Sequence, residues 1–329
     1  MKATLSAALV LAALTVLPQP VEAHAPGQPT CRGEVATHVG ISGEELTTTP
    51  GPDVVVTNGA SVVRTLNGAD VICVTRLRPA YVVPGGGDDL VDATRFRGDR
   101  LATVLGETGV EGSSGDDRFL GGPQVDRVYV RSGVAADRKL VRTDGGKDYV
   151  KVDRQYPGDV VAELGKEGDT LSADRPRAGL VVDGDEGPDE LTTTCRGCST
   201  ASFDLETGTI AIDGKASGEA TGFQVLDVVR AGTHVVPAVT VRGGNDANHV
   251  SVAACRSSLL GRGGNDRLQA AGSGGCERVR TVAQGGGGDD LMVGTTGNDE
   301  LYGGLGRDTA TGDRGRDLCR AEVEESCER

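Results

Sequence analysis

From Gly285 to Arg320 the chain repeats itself every nine residues without a gap. Gly285-Gly-Gly-Gly-Asp-Asp-Leu-Met-Val293 is followed by Gly294-Thr-Thr-Gly-Asn-Asp-Glu-Leu-Tyr302, then Gly303-Gly-Leu-Gly-Arg-Asp-Thr-Ala-Thr311 and Gly312-Asp-Arg-Gly-Arg-Asp-Leu-Cys-Arg320. Gly recurs at 285, 294, 303 and 312 and again at 288, 297, 306 and 315, Asp at 290, 299, 308 and 317, and a core-type residue at Met292, Leu301, Ala310 and Cys319. Nine residues cannot bury a core alone. A unit of this size becomes stable only by stacking on its own copies, which restricts the fold to repeat architectures.

Glycine supplies the left-handed and tightly turned backbone that a compact loop needs. Six residues of each unit therefore read as turn, and the remaining three as a short strand whose middle side chain points inward. Two units make one coil of two turns and two strands, and successive coils stack as parallel strands about 4.8 Å apart. Turns 18 residues apart then face each other, which places Asp290 over Asp308 and Asp299 over Asp317. The expected fold is all-β, a parallel β-solenoid of the β-roll or β-helix kind. Gly-Asp and Asn-Asp pairs also make hairpin turns, but an antiparallel meander has no need of a nine-residue period held four times.

Stacked carboxylates repel, and turn carbonyls have no strand partner. One hard cation answers both problems. Calcium accepts six to eight oxygens, carbonyls included, whereas magnesium holds to a stricter octahedron and keeps its water. Ca2+ is the expected ligand, with binding and folding coupled. The pattern closely resembles the G-G-x-G-x-D-x-U-x nonapeptide of hemolysin-type (RTX) calcium-binding repeat proteins. The resemblance implies that Asp290, Asp299, Asp308 and Asp317 bind Ca2+ through their side chains. It implies the same role for turn carbonyls such as those of Gly288, Gly297 and Gly306.

Isolated copies of the turn recur upstream with longer spacers. Gly261-Arg-Gly-Gly-Asn-Asp266, Gly184-Asp-Glu-Gly-Pro-Asp189 and Gly112-Ser-Ser-Gly-Asp-Asp117 are the best, so Asp266, Asp189 and Asp117 join the candidate metal residues. Asp126 follows Asp117 by nine. Weaker copies centre on Asp53, Asp70, Asp89, Asp148 and Asp246, and Glu45 and Thr170 fill the Asp position of two degenerate ones. A lone turn aspartate can instead cap its own backbone without metal. Val-rich runs such as Val128–Val130, Tyr149–Val152, Leu180–Val182 and Val239–Val241 read as the intervening strands. The layout expected is a leader over 1–23, divergent repeats over 24–284, the regular block over 285–320 and a terminal cap over 321–329.

Composition agrees with a narrow core. Of 329 residues 51 are Gly, while four Phe, five Tyr and no Trp leave little for a bulky layered fold. The formal charge of −14 disfavours nucleic acid and anionic membrane surfaces and favours cations. Lys2, the apolar run Leu5 to Leu17 and Val21-Glu22-Ala23 read as a secretory signal peptide, with a mature start near His24. No later run is long and apolar enough for a transmembrane segment. A secreted, extracellular protein, free or held at the cell surface, is therefore expected. The even count of eight Cys then favours disulfides, and spacing suggests Cys31–Cys73, Cys195–Cys198, Cys255–Cys276 and Cys319–Cys327. Cys195-Arg-Gly-Cys198 could also be a redox pair or half a zinc site.

Catalytic signatures are missing. There is no HExxH, GxSxG or GxxxxGK[ST], and His24, His38, His234 and His249 are scattered. His249 beside Asp246 reads as a solvated turn residue. The expectation is a structural or cell-surface module without enzymatic activity. A polysaccharide lyase or glycosidase on a β-solenoid is the alternative, since acid pairs are plentiful, but aromatic sugar platforms are almost absent. An adhesin is third, because Arg97-Gly98-Asp99 is an RGD triplet. RTX toxins leave the cell through a dedicated channel with a C-terminal signal, and the N-terminal leader and many Cys here depart from that pattern.

Overall fold

The computed structural model describes residues 27–76, 80–98, 100–105, 115–131, 133–229, 236–272 and 275–328. The expected leader, His24 and His234 lie outside them. Strands alternate between two walls, and outside two hairpin segments each strand pairs in parallel with the strand one coil away on the same wall. On wall one, Val54–Val56 pairs with Val71–Cys73, and Asp117–Leu120 with Arg138–Arg142. On wall two, Val125–Val130 pairs with Tyr149–Val152, which pairs with Thr170–Asp174. The architecture is the expected parallel β-solenoid, and no helix occurs among the described residues.

The regular block follows its arithmetic. Leu291–Val293 stands in register with Thr309–Thr311 on wall two, and Glu300–Leu305 with Leu318–Arg320 on wall one. Met292, Leu301 and Ala310 are wholly buried and Cys319 nearly so. Each strand alternates inward and outward, as its pleat requires, so Val55, Ile72, Val91 and Phe119 line the inside of wall one, and Val128, Val150, Leu171 and Leu191 that of wall two. The core is a strip of side chains from two facing walls, filled mostly by Val, Leu and Ala, with Phe96, Phe119, Phe203, Phe223 and Tyr156 as its few rings.

Two features depart from uniform winding. Between Asp189–Thr194 and Phe223–Val229 the chain inserts Thr200–Asp204, Thr209–Ile212 and Lys215–Thr221, paired antiparallel to one another within wall one. The second turn of this insert is Asp213-Gly214, both at positive φ (52° and 73°), as the type I′ geometry of a two-residue hairpin requires. Wall one thereby gains two strands, about 10 Å at the usual strand spacing, where wall two gains none. Further on, His249–Gly263 is one continuous strand that pairs with Phe223–Val229 on wall two and then with Val236–Arg242 on wall one.

A disulfide stands at each end of the described stack. A hairpin of Thr30–Cys31 and Glu34–Val35 is tied by the Cys31–Cys73 disulfide to a wall-one strand. At the other end the acidic tail continues the winding: Val323–Glu325 pairs in parallel with Thr309–Thr311, and Cys327 bonds Cys319. Cys195–Cys198 and Cys255–Cys276 are also bonded, so all four expected pairings form. Cys195-Arg-Gly-Cys198 is accordingly a disulfide in this structure.

Candidate metal centre

Each turn delivers its aspartate just before a strand begins, with the carboxyl turned inward at the corner of the coil. Asp117, Asp189, Asp266, Asp290, Asp299, Asp308 and Asp317 are all buried. They are stacked in columns. On wall two the backbone N–H of Asp126 donates to Oδ1 of Asp148 at 2.8 Å, Asp148 to Asp169 at 2.7 Å, and Asp169 to Asp189 at 2.8 Å. The column ends on Gln224, which accepts the amide of Asp189, and a second run starts at Asn248 and passes to Asp266, Asp290, Asp308 and Glu322, with the amide of Asp290 on Oδ1 of Asp308 at 2.9 Å. Wall one carries a first column, Asp53–Asp70–Asp89–Asp117, and a last one in which Thr281 donates to Asp299 and Asp299 to Asp317.

The expected facing of Asp290 with Asp308 and of Asp299 with Asp317 is thus present. Sequence reasoning missed that one carboxylate oxygen is already used, accepting the amide of its counterpart a coil away. It also missed an outer ladder. The residue before the ladder aspartate does the same at the surface: Asp289 N–H donates to the side chain of Asn265, Arg307 N–H to Asp289, and Arg316 N–H to Asn298. The doubled Asn-Asp and Asp-Asp pairs were the signal for it.

The second oxygen distinguishes the turns. Oδ2 of Asp189, Asp266, Asp290, Asp308 and Asp317 is buried with no hydrogen-bond partner, as are those of Asp70, Asp89, Asp148 and Asp169. A buried charged oxygen left this way carries a full desolvation cost. Asp299 differs, because Oδ2 accepts both the N–H and the hydroxyl of Thr295. Backbone conformation explains the contrast. Gly286, Gly304 and Asp313, second in their turns, have φ of 115°, 119° and 75°, whereas Thr295 at the same place is not at positive φ and closes on its own aspartate. Asp117 differs too: its Oδ2 receives Lys139 Nζ at 2.7 Å.

Burial dominates the electrostatics. It pushes Asp126 and Asp148 up to about 7, Asp169 to about 8 and Asp266 to about 7. Asp189 and Asp117 are pushed up to about 6, and Asp290, Asp299 and Asp317 are raised by the same cause, with neighbouring carboxylates adding to it at Asp290 and Asp317. These columns resist their own charge.

Among the described residues no three His, Cys, Asp or Glu side chains form a metal cage. A cation here must draw on one carboxylate oxygen per turn and otherwise on backbone carbonyls. That donor set suits Ca2+. The turn glycines bring such carbonyls close: a Cβ on Gly306 would strike the carbonyl of Gly288, one on Gly315 that of Gly297, and one on Gly297 that of Val279. The first glycine of the unit makes room for the acid itself, since a Cβ on Gly285 or Gly303 would collide with the carboxylate of Asp290 or Asp308. The residues present therefore fit calcium at the orphaned oxygens.

Other sequence readings are corrected here. The wall-two column uses Asp169 and not Thr170, which starts a strand; Asn248 and not Asp246, which is exposed; and Glu45 is an exposed strand residue outside the ladders. The upstream aspartates are not solitary caps, because Asp53, Asp70, Asp89, Asp126, Asp148 and Asp169 all have ladder partners, at separations from 17 to 28 residues. His249 is exposed at the start of its strand. Arg97 turns back on the carbonyls of Thr94 and Phe96, and Asp99 of the RGD triplet lies outside the described residues.

A search of curated proteins finds no match. A model of the RTX calcium-binding nonapeptide repeat matches four copies, over residues 110–134 and 284–319, the two stretches that hold Asp117 with Asp126 and the regular C-terminal block. The chain therefore carries hemolysin-type RTX calcium-binding nonapeptide repeats, wound into a parallel β-solenoid.

Proposed function

We propose that the protein is an exported structural module whose solenoid is completed by Ca2+, bound by Asp290, Asp299, Asp308 and Asp317 with the turn carbonyls of Gly288, Gly297 and Gly306, and further upstream by Asp266 and Asp189. The observation that carries this reading is the row of buried, partnerless Oδ2 atoms beside turn glycines. A bound divalent ion would supply the missing ligand and cancel the repulsion along the column, so metal binding would contribute directly to folding. Asp299, already closed by Thr295, would be the weakest of the four C-terminal ligands. Export is supported by the leader-like first 23 residues and by four disulfides, which persist in oxidising compartments. The role proposed is scaffolding, since the buried turn aspartates are spent inside the ladders.

Calcium titration into chelated protein, followed by β-sheet circular dichroism and melting temperature, tests the proposal. Calcium should raise the melting temperature by roughly 5 °C or more, the effect of a ligand well above its dissociation constant. Asp290→Asn with Asp308→Asn should remove most of that gain. No response of either signal to chelator would sink the reading.

A further inference from the structure

Lys139 is the one lysine in the described residues with no exposed side-chain surface against a ladder. It stands in wall one in register with Asp117, where the next aspartate of the column Asp53–Asp70–Asp89–Asp117 would be. Beyond it the column runs into Val160 and Leu180 and ends. Its Nζ lies 2.7 Å from Oδ2 of Asp117 and 2.6 Å from the carbonyl oxygen of Gly115, and 5.8 Å from the centre of the Tyr156 ring. Oδ2 is the oxygen left partnerless on Asp70 and Asp89 in the same column.

The donor pair has a counterpart in the C-terminal block. Gly115 precedes Asp117 by two residues and has φ of 137°. Gly288, Gly306 and Gly315 precede Asp290, Asp308 and Asp317 by two and have φ of 123°, 135° and 124°. At this glycine the backbone that holds the ammonium matches that of the turns whose carboxylate oxygens lack a partner. An ammonium presents one positive charge and three donors at about 2.8 Å, and so can serve a carboxylate and a carbonyl as a metal ion would, at longer range.

We propose that Lys139 is a tethered substitute for the divalent cation at the Asp117 turn, so that this coil folds without metal although its sequence fits the calcium repeat. This rests on the calcium reading for the C-terminal block, but its test is separate.

The test is hydrogen exchange of the full chain, in chelator and in Ca2+, for wild type, Lys139→Met and the double variant Lys139→Met/Asp117→Asn. In wild type, amides of 115–142 should keep their protection in chelator. In Lys139→Met they should exchange at least tenfold faster in chelator and regain protection in Ca2+, with one added site by calorimetry. The double variant, free of the buried charge, should be protected in both. Loss of protection over 115–142 in chelated wild type, or failure of Ca2+ to restore the single variant, would overturn the proposal. So would unfolding of the double variant, which would make Lys139 a packing residue. Residues 285–320 are read in the same experiment: if they ignore chelator while Ca2+ rescues Lys139→Met, the calcium reading of that block fails and the assignment of Lys139 stands.

Discussion

Aspartate suits the ladder because its short side chain reaches one strand spacing, about 4.8 Å, to the amide of the neighbouring coil without leaving the corner of the turn. Where the column needs only an acceptor for the amide of Asp189, Gln224 replaces it with a neutral amide oxygen, while the side-chain oxygen of Asn248 accepts the N–H of Gly244 in its own turn. The acids that remain have a pH signature. Asp126, Asp148 and Asp169 are held up at about 7 to about 8 by burial, against an unfolded value of about 3.9. The folded chain thus retains protons that the unfolded chain releases. Their stabilising contribution in chelator is complete below about pH 4 and is lost as pH rises through about 7 to 8. The melting temperature of chelated protein should therefore fall between pH 5 and pH 8.5, and Asp148→Asn, which keeps the acceptor but cannot ionise, should flatten the decline. A chelated protein that melts higher at pH 8.5 would contradict this assignment.

At the scale of elements, strand length is set by how the turns on either side close. The three-residue strands Leu291–Val293 and Thr309–Thr311 belong to the glycine-rich block, whereas the insert Thr200–Thr221 is held by its own hairpin turns and by Ala201, Phe203, Ile210 and Ile212 in the core. Gly214, at φ 73°, closes the second of those turns. Gly214→Val puts a β-branched residue into a left-handed position and should cost about 1–2 kcal/mol. The loss should be the same with and without Ca2+, because the insert lies outside the ladders; a calcium-dependent loss, measured by denaturant unfolding, would refute that separation.

For the whole molecule, a solenoid has two open ends and stands or falls by how they are covered. The tail supplies a last strand to wall two, Glu322 accepts the amide of Asp308, and the Cys319–Cys327 bond holds the tail down. Removing residues 321–329 would bare the edge of Thr309–Thr311, a template for pairing with another chain. The truncated protein should self-associate on size-exclusion chromatography at concentrations where the full chain does not, and an unchanged elution profile would argue against the tail as an edge cover. Because each coil touches only its neighbours, damage here should stay local and leave the Cys31–Cys73 end ordered.

The nine-residue period by itself determined the coil length, the two-wall winding, the facing of Asp290 with Asp308 and of Asp299 with Asp317, and the buried Met292, Leu301 and Ala310. Constant spacing makes that information local: counting along the chain is the same as stepping across the stack. Where coil length drifts, as between Asp89 and Asp117, which lie 28 residues apart, pairing is chosen by strand register across the wall and counting no longer finds it. That is why counting puts Glu45, Thr170 and Asp246 at the aspartate position of a turn and does not find the hairpin insert. Only the tertiary structure decided what each second carboxylate oxygen meets, whether Thr295, Lys139 or no protein group, because that choice depends on the conformation of a turn and on a residue delivered from the next coil.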